Sequence, residues 1–498
     1  MNFAPLNSVL KMFGYHATVD KKRRSSPVSE RKSEDKQLDI QNRRKLQATL
    51  RDNRRNQTLL RWMIDQTLDF TTKFHFQALT DNEELNKRIE ELVNWKSRAG
   101  NWEVTGRYSR DAYIRMAEAC QLIDGDIGHI LVNGGKLQGI ESDRITLPTS
   151  GTLPESYKDW NWIHGIHVSS DGRPLHYCIC DRELSGGRNA AGGSNLIYAR
   201  VIPARNFKLT GYFDRFDQIR GISPLASAAN HLTDCYEAFE YQLQKVKNHS
   251  MLGFFFKREP GTQGDGFGPY TDAVDGEDAD ADTERYRFNM KPGLKIEGDP
   301  GDQLDLIESH TPSEEFMQFM ELHIRIALLA LGIPYTFYDS QNATYSSQRM
   351  DLVRYIESIR SRQDRWIEFL SQIIAWDLGR WTIPTKGRSG TVNKPILSLP
   401  NKMTARDIKF EWIPQPIPWI DPLKEVQADG MAVAYGFKTR SDVTKRIAGK
   451  RFEDVAKILG IEEKQAIESS ATIAIGQPGQ LSTRDEEDTG DNQNADSE

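Results

Sequence analysis

One amphipathic segment, Asn342 to Trp381, constrains the fold more than any other part of the chain. Its apolar residues recur in alternating steps of four and three, which is the spacing of a helix with one buried seam. The seam consists of Leu352, Ile356, Ile359, Gln363, Trp366, Leu370 and Ile373. Roughly three heptads of this pattern predict a long helix that packs on other helices, within one subunit or between two.

The start of this segment, Tyr345-Ser346-Ser347, allows two interpretations. A nucleophilic serine would make the protein a hydrolase, but no Gly-x-Ser-x-Gly elbow surrounds the serine pair. Serines are also common helix caps, and this pair stands where a cap is expected. We therefore predict that the serine pair caps the helix. The Arg-rich helix 347–377 is then either a packing element or a contact for polyanions, and the two alternatives stay open at this point.

Two further helices flank an acidic insert in the middle of the chain. Apolar residues recur at helical spacing across residues 221–250 and again across 311–332. Residues 251–310 between them carry fourteen acidic and six basic residues, a net charge of −8. Each helix opens with a capping signal. The predicted residues of these signals are Ser223, Pro224, Thr311 and Glu314.

The part of the chain before these helices combines helices with strands. Helical periodicity predicts three helices between residues 43 and 121. Two hairpins are predicted after them, turning at Asn133-Gly134 and at Asp171-Gly172, because such residue pairs favour tight turns. More short helices are predicted near the C-terminus. The predicted fold class is therefore α+β.

Charge is concentrated in blocks near both ends. Residues 21–55 carry thirteen Lys/Arg and five Asp/Glu, and residues 481–498 carry seven acids and one Arg. Basic arms suit polyanions and acidic blocks repel DNA, although either block can simply keep a protein soluble. We predict a disordered basic arm over 1–45 and a disordered acidic tail over 471–498.

The composition excludes several classes of protein. No apolar run approaches the roughly 18–20 residues that a membrane helix needs. The first residues lack the basic-then-apolar order of a signal peptide. Four cysteines in 498 residues do not make a disulfide framework. We therefore expect synthesis in a reducing cytoplasm and no membrane partner.

The sequence offers weak signals for chemistry. The segment GNWEVTGRYS has five residues between its glycines and Arg107 where a phosphate loop needs Lys. His176, Cys178 and Cys180 share a strand face, but three ligands without a second Cys pair favour buried residues over a zinc site. The segment 278–289 has the Asp spacing of a calcium loop but lacks its glycine and final glutamate. We predict no enzyme activity, metal or cofactor.

Six segments spread over residues 43–468 form an ordered set. They are RRKLQATLRDNRRN, DGDIGHILVN with LQGIESDRI, IHGIHVSSDGRPLHYCI, FDQIRGISPLASAANHLTDCYEA, MKPGLKIEGDPGDQLDLIESHTPSEEFMQFMELHIRIALLALGIPYTFYDSQNATYSSQRMDL and FEWIPQPIPWIDPLKEVQADGMAVAYGFKTRSDV. Through this set the chain resembles the lambda-type portal proteins of tailed bacteriophages. It departs from them in the insert GDGFGPYTDAVDGEDADADTE and in the length of both tails.

The resemblance implies a ring, usually of twelve copies, at one vertex of the virion capsid. The ring is a channel through which double-stranded DNA is packaged and later ejected. Implied partners are other copies of the chain, the terminase, head-completion or head-tail connector proteins, and the major capsid and scaffold proteins.

The resemblance also implies a division of the chain into named regions of the portal fold. These are the wing (46–220), stem helix 1 (221–250), the clip (251–310), stem helix 2 (311–332), the tunnel loop (333–346), a long wing helix with return strands (347–420) and a helical crown (421–470).

Three sets of functional residues follow from this division. A surface over which DNA slides should carry few fixed cations, because phosphate affinity grows with each Lys or Arg contact. The DNA-facing tunnel residues would be Tyr338, Asp339, Ser340, Gln341 and Asn342. The sparse bases touching DNA would be Lys245, Lys247 and Arg349. Clip residues docking the terminase would be Asp275, Glu277, Asp278, Asp280 and Asp282.

One alternative of another class remains at this point. It is a DNA-binding or DNA-processing protein that uses the basic 21–55 arm and the Arg-rich helix 347–377.

Overall fold

A computed structural model describes most of the chain, and its secondary structure is mixed α+β, as predicted. The described residues are 33–149, 152–182, 196–251, 255–258, 302–305, 313–341, 343–386, 392–400, 403–416, 422–449 and 452–468. The chain divides into two compact units, Met1–Trp412 and Ile413–Glu498.

The helices and strands are numbered along the chain. The helices are α1 (Glu34–Gln37), α2 (Ile40–Asn56), α3 (Thr58–Thr71), α4 (Glu83–Lys96), α5 (Arg110–Asp124), α6 (Glu155–Lys158), α7 (Ala229–Met251), α8 (Glu314–Leu329), α9 (Tyr345–Trp381), α10 (Pro422–Ala434), α11 (Arg440–Ala448) and α12 (Phe452–Glu468). The strands are β1 (Phe74–Ala78), β2 (Asp126–Val132), β3 (Lys136–Glu141), β4 (Trp162–Ile163), β5 (Ile166–Val168), β6 (Pro174–Arg182), β7 (Leu196–Pro203), β8 (Phe207–Gly211), β9 (Phe255–Arg258), β10 (Asp302–Asp305), β11 (Thr385–Lys386), β12 (Val392–Asn393) and β13 (Phe410–Pro414). Within the described ranges, no helix is long and apolar enough to cross a membrane.

Residues 33–45 are described as folded, although the predicted disordered arm extended to residue 45. Helix α2 starts at Ile40, and the side chain of its cap Asp39 accepts the Asn42 N–H at 2.8 Å. The inward face of α2 includes polar side chains, and Arg43 donates to the Gly221 carbonyl at 2.8 and 2.6 Å. The many charged residues of this segment led to the prediction of disorder, but the segment includes the start of a helix with a buried face. Residues 1–32 lie outside the described ranges.

Helix α9 is the 37-residue helix that the seam predicted, about 55 Å long. Its cap is Thr344, whose side chain accepts the Ser347 N–H at 3.3 Å, so the predicted caps Ser346 and Ser347 instead lie in the first turn. The Thr and Ser side chains offer the same cap chemistry, which is why the position was misjudged by two to three residues.

The predicted seam of α9 is buried within one subunit along most of its length. Ile359, Leu370 and Ile373 are 0% exposed and Trp366 is 2% exposed. They lie in two cores that also contain residues of α3, α5 and β1. Leu352 and Ile356, in the first turns of α9, are half-buried, although Tyr355 between them is 1% exposed.

The β-rich section contains both predicted hairpins. Strands β2 and β3 pair antiparallel around the turn at Asn133-Gly134, and β8 pairs with the other edge of β2. Strands β4 to β7 form a four-stranded antiparallel sheet in sequence order. Its β5–β6 turn contains Gly172 at φ +77°, a left-handed conformation that glycine adopts without strain. Cys178 and Cys180 of β6 are fully buried, consistent with the structural interpretation of that strand.

The two helices flanking the insert are shorter than predicted at their starts. Ser223 caps a 3₁₀ turn over Pro224–Ala226, and α7 begins only at Ala229. Helix α8 begins at Glu314 with Ser313 as its cap, whose side chain accepts the Phe316 N–H at 3.3 Å, so a Thr311 capping box is not its start. Strands β9 and β10, which follow α7 and precede α8, pair antiparallel.

The second unit contains α10, α11 and α12. The Asp429 carboxylate of α10 is only 5% exposed. Lys438 Nζ lies 3.2 Å from this carboxylate, and Arg446 also pairs with it. A capping box of Thr439 and Asp442 starts α11. This helical composition matches the predicted helical region after residue 421.

Candidate subunit and channel surfaces

Helices α7 and α8 pack together and each carries a second, exposed apolar stripe. On α7 the exposed residues are three and four apart: Tyr236, Phe239 and Leu243 are 46%, 50% and 54% exposed. On α8 they are three, four and three apart: Phe319, Leu322, Ile326 and Leu329 are 52%, 54%, 36% and 73% exposed. Other apolar faces of the same helices are buried in the core.

Such stripes are unusual for a protein that works as a free monomer. Isolated exposed apolar side chains are common, but a contiguous stripe marks a contact surface. The spacing is that of a helix–helix seam. The helical spacing of apolar residues across 221–250 predicts a single stripe that includes Leu232, Cys235 or Tyr236, Phe239 and Leu243. The structure separates them, because Leu232 and Cys235 are buried while Phe239 and Leu243 are not.

The predicted tunnel-loop residues lie between α8 and α9 at the surface. Tyr338, Ser340 and Gln341 are exposed and Asp339 is half-buried, while Asn342 is outside the described residues. The Asp339 carboxylate accepts the Gln341 N–H at 2.9 Å. The Tyr338 ring contacts the Trp62 ring edge-on, with centroids 6.0 Å apart.

The base of this loop is anchored in the core. Ile333 is 2% exposed, and the Phe337 ring packs on Tyr355 at 5.2 Å and on Phe70 at 6.3 Å. The exposed tip of the loop is polar, and the aromatic packing at its base fixes the position of the loop.

The predicted DNA-contacting bases Lys245, Lys247 and Arg349 are exposed. Arg43 and Arg51, both within the basic 21–55 segment, are held by other groups of the chain. Arg51 makes a two-pronged pair with Asp124, at 2.8 and 2.6 Å. These two arginines are therefore not available to grip DNA, which weakens the alternative of a DNA-binding arm.

A buried ion pair joins the helical and β-rich parts of the first unit. Arg220 donates to both carboxylate oxygens of Asp126, at 2.7 and 2.8 Å, and Arg43 lies 3.5 Å from the same carboxylate. Burial opposes ionisation of Asp126, but the charge and hydrogen bonds of Arg220 outweigh it and hold the pKa of Asp126 below its usual value. Arg220 also donates to the carbonyls of Ile145, His164 and Ser142.

A second buried carboxylate organises the middle of α9. Glu118 is 0% exposed and accepts hydrogen bonds from Trp366 Nε1 at 2.9 Å and from the Tyr212 hydroxyl at 2.6 Å. The Arg365 guanidinium stacks over the Tyr212 ring at 3.9 Å. No sequence pattern marked Glu118 as a partner of Trp366, because 248 residues separate the two.

In the segment GNWEVTGRYS, which superficially resembles a phosphate loop, the backbone amides bind the carboxylate of Glu103. Glu103 accepts the backbone N–H groups of Thr105, Arg107 and Tyr108, at 2.6, 2.8 and 3.2 Å. Burial acts to raise the pKa of Glu103, but hydrogen bonds from the Thr105 hydroxyl and from these three amides outweigh it and lower the pKa. The amides that would bind an anion are therefore already occupied, and Trp102 of the same segment is fully buried.

The predicted terminase-docking acids, Asp275, Glu277, Asp278, Asp280 and Asp282, lie outside the described residues. Within the part of the chain that is described, no group of three or more His, Cys, Asp or Glu side chains has the arrangement to hold a metal ion.

One buried acid makes a testable contribution to pH dependence. The Asp377 carboxylate is 0% exposed and lies 2.8 Å from Arg380 and 3.7 Å from Lys96. Burial raises the pKa of Asp377 to about 6, against the opposing effect of these two cations. Because the folded-state pKa exceeds the unfolded value, the folded state favours the protonated acid. Its stabilising contribution is complete below pH 4 and is lost as pH rises through about 6.

We therefore expect the Asp377→Asn variant to change the pH dependence of unfolding. The free energy of unfolding of the wild type, minus that of the variant, should fall by up to about 3 kcal/mol between pH 4 and pH 7. Urea unfolding at several pH values measures this difference. A difference that does not change with pH would contradict the raised pKa.

Comparison with known proteins identifies the family. Residues 21–363 match the family described as "Phage portal protein, lambda family". The chain belongs to this family. As a portal protein it is a structural, non-enzymatic component of the virion.

Individual relatives are distant. A probable portal protein of Halomonas phage phiHAP-1 is 24% identical over 385 residues, which is 75% of this chain and 68% of the relative. A chain in the virion of a native gene transfer agent particle is 13% identical, with a TM-score of 0.46, and the match covers 80% of this chain and 91% of that one. A chain in the neck of the native gene transfer agent particle, computed with C12 symmetry, is 12% identical, with a TM-score of 0.47 and the same coverage.

Proposed function

We propose that this portal protein forms a closed ring, of twelve copies as the family resemblance suggests, with a central channel for double-stranded DNA at one capsid vertex. The single observation that carries the proposal is the pair of exposed apolar stripes on α7 and α8. A ring needs two different, mutually complementary surfaces on each subunit. In this proposal, the α7 stripe of one subunit packs on the α8 stripe of the next.

The spacing of the stripes supports this arrangement. Tyr236, Phe239 and Leu243 on α7 are three and four residues apart, and Leu322, Ile326 and Leu329 on α8 are four and three apart. Two such stripes can interdigitate as a helix–helix seam. Burying a large apolar side chain contributes roughly 1.5–3 kcal/mol of stability. In a ring this contribution recurs at every interface between subunits.

The proposed channel surface is the loop between α8 and α9. Tyr338, Ser340 and Gln341 are exposed there, and the whole predicted loop 333–346 lacks Lys and Arg. Such a surface can approach DNA without holding phosphates, because each fixed cation would add affinity and salt dependence. Lys245, Lys247 and Arg349 are the proposed sparse contacts, since all three are exposed.

The proposed docking partners follow the family resemblance. The terminase would dock on the acidic insert during packaging, and head-completion or head-tail connector proteins would replace it afterwards. The net charge of −8 over residues 251–310 would favour a basic docking surface on such a partner. The major capsid and scaffold proteins would contact the outside of the ring.

Ring assembly can be tested with one matched pair of variants on α8. Leu322 and Met317 are 54% and 55% exposed, but only Leu322 belongs to the stripe, and Met317 lies about 140° away around the helix. We expect Leu322→Asp to lose rings because a charge would be buried at every interface. Met317→Asp should still assemble.

Negative-stain images and light scattering on purified full-length protein measure the result. Rings of normal size in Leu322→Asp would exclude the stripe from the interface. A wild-type protein that remains monomeric at high concentration, with or without scaffold, would refute the ring itself.

A further inference from the structure

Two histidines face each other between α7 and α8. His231 lies in the first turn of α7 and His323 in the middle of α8. Their ring centroids are 5.4 Å apart, with an angle of 63° between the ring planes. Nδ1 of each ring is buried and has no hydrogen-bond partner in the chain. Buried polar atoms normally have partners, so two unpartnered nitrogens on facing rings call for an explanation.

The surroundings of the pair are apolar. The Phe319 ring packs on His323, with centroids 4.4 Å apart. Leu232 and Ile324, which follow the two histidines in the sequence, are 2% and 6% exposed. No group of the described chain hydrogen-bonds to either Nδ1 atom.

The separation of the rings fits a shared metal ion. A zinc–nitrogen bond to histidine is about 2.0–2.1 Å long. Adding the distance from a ring nitrogen to the ring centre puts each centroid about 3.2 Å from the metal. Two such rings at the tetrahedral angle have centroids about 5.2 Å apart, against the 5.4 Å observed.

We propose that His231 and His323 form a two-histidine site for a divalent transition metal ion of the zinc type. The neutral imidazole is a common ligand for such ions. Because no third His, Cys, Asp or Glu of the described chain joins the cluster, water completes the coordination. A bound ion would tie the start of α7 to the middle of α8 and stiffen the helix pair. This site does not depend on ring formation.

The test is a calorimetric titration of the full-length protein with Zn²⁺ alone. The visible absorption of bound Co²⁺ gives a second measure of binding. We expect one ion per chain and an unfolding midpoint that rises with Zn²⁺ and returns with EDTA. His323→Phe keeps an aromatic ring beside Phe319 and removes the nitrogen ligand. It should weaken binding at least about tenfold, as should His231→Gln.

A control distinguishes this site from the other close histidine pair. His167 and His176 have their Nδ1 atoms 3.2 Å apart and already bond to each other. His176→Asn should therefore leave Zn²⁺ binding unchanged. The proposal is overturned if the wild type binds no Zn²⁺, if His323→Phe binds it as tightly as the wild type, or if His176→Asn abolishes binding.

Discussion

Replacing Trp366 with aspartate is expected to leave no stably folded first unit. Trp366 is 2% exposed, and removing a buried Trp side chain alone costs about 3–5 kcal/mol. The new carboxylate would also be buried beside Glu118, which is fully buried and would lose its hydrogen bond from Trp366. Since proteins are stable by only about 5–15 kcal/mol, the expected result is insoluble or unfolded protein.

Two companion variants make this expectation measurable. Trp366→Phe keeps most of the apolar volume and removes the indole N–H, so it should fold and lose about 1–3 kcal/mol. Ser361→Asp adds the same charge at an exposed position of the same helix and should change stability by less than about 0.5 kcal/mol. Chemical unfolding followed by tryptophan fluorescence and circular dichroism measures all three. A folded Trp366→Asp protein of normal stability would remove the seam assignment.

The outcome for α9 shows what periodicity can predict. The alternating steps from Ile359 to Ile373 predicted a buried face because helical geometry repeats whatever the partner is. The identity of the partner was left open, since periodicity contains no information about contacts distant in sequence. The structure buries this face within one subunit, and the partner of Trp366 is Glu118 on α5.

Short sequence motifs predicted the presence of turns and helices better than they predicted the residues at which the helices begin. The hairpin turns at Asn133-Gly134 and Asp171-Gly172 were predicted correctly because a tight turn depends on the few residues within it. The caps of α8 and α9 were misjudged by two to three residues. Ser and Thr stand at more than one position around the start of both helices, and each can accept a backbone N–H.

The stripes on α7 and α8 were missed for another reason. A helix with apolar residues on two faces resembles, in sequence, a helix with one broad apolar face. Only the three-dimensional contacts show that Leu232 is buried and Phe239 is not. One sequence signal could have distinguished the buried stripe from the exposed one. Cys235 and Tyr236 are consecutive apolar residues, and consecutive residues of a helix point about 100° apart, so they belong to two neighbouring stripes.

The buried network around Asp126 could not be predicted from the sequence, because Arg220 and Asp126 are 94 residues apart. A substitution in this network is expected to have a large effect on stability. Replacing Arg220 with methionine is expected to destabilise the first unit by about 3–5 kcal/mol, because it leaves a buried carboxylate without its partner. Arg220 is 3% exposed and Asp126 is fully buried. The carbonyls of Ser142, Ile145 and His164 would lose their donor as well.

The same substitution at Arg215 is the matched control. Arg215 lies five residues earlier and makes a 3.7 Å contact with Asp217, with about 60% of each side chain exposed. Exposed pairs of this kind contribute little, so Arg215→Met should change the free energy of unfolding by less than about 0.5 kcal/mol. Urea unfolding of both variants gives the comparison, and equal effects at the two sites would contradict the role of the buried pair.

A third variant separates the buried charge from the lost shape of Arg220. In Arg220→Met, Asp126 loses its two-pronged partner and keeps the more distant Arg43, at 3.5 Å, so its pKa should rise and the variant should recover part of its stability as the pH is lowered. Adding Asp126→Leu removes that charge and should recover part of the loss at neutral pH, as for other buried ion pairs replaced by apolar residues. If the double variant is less stable than Arg220→Met alone, the backbone contacts of Arg220, rather than the ion pair, hold the helical and β-rich parts together.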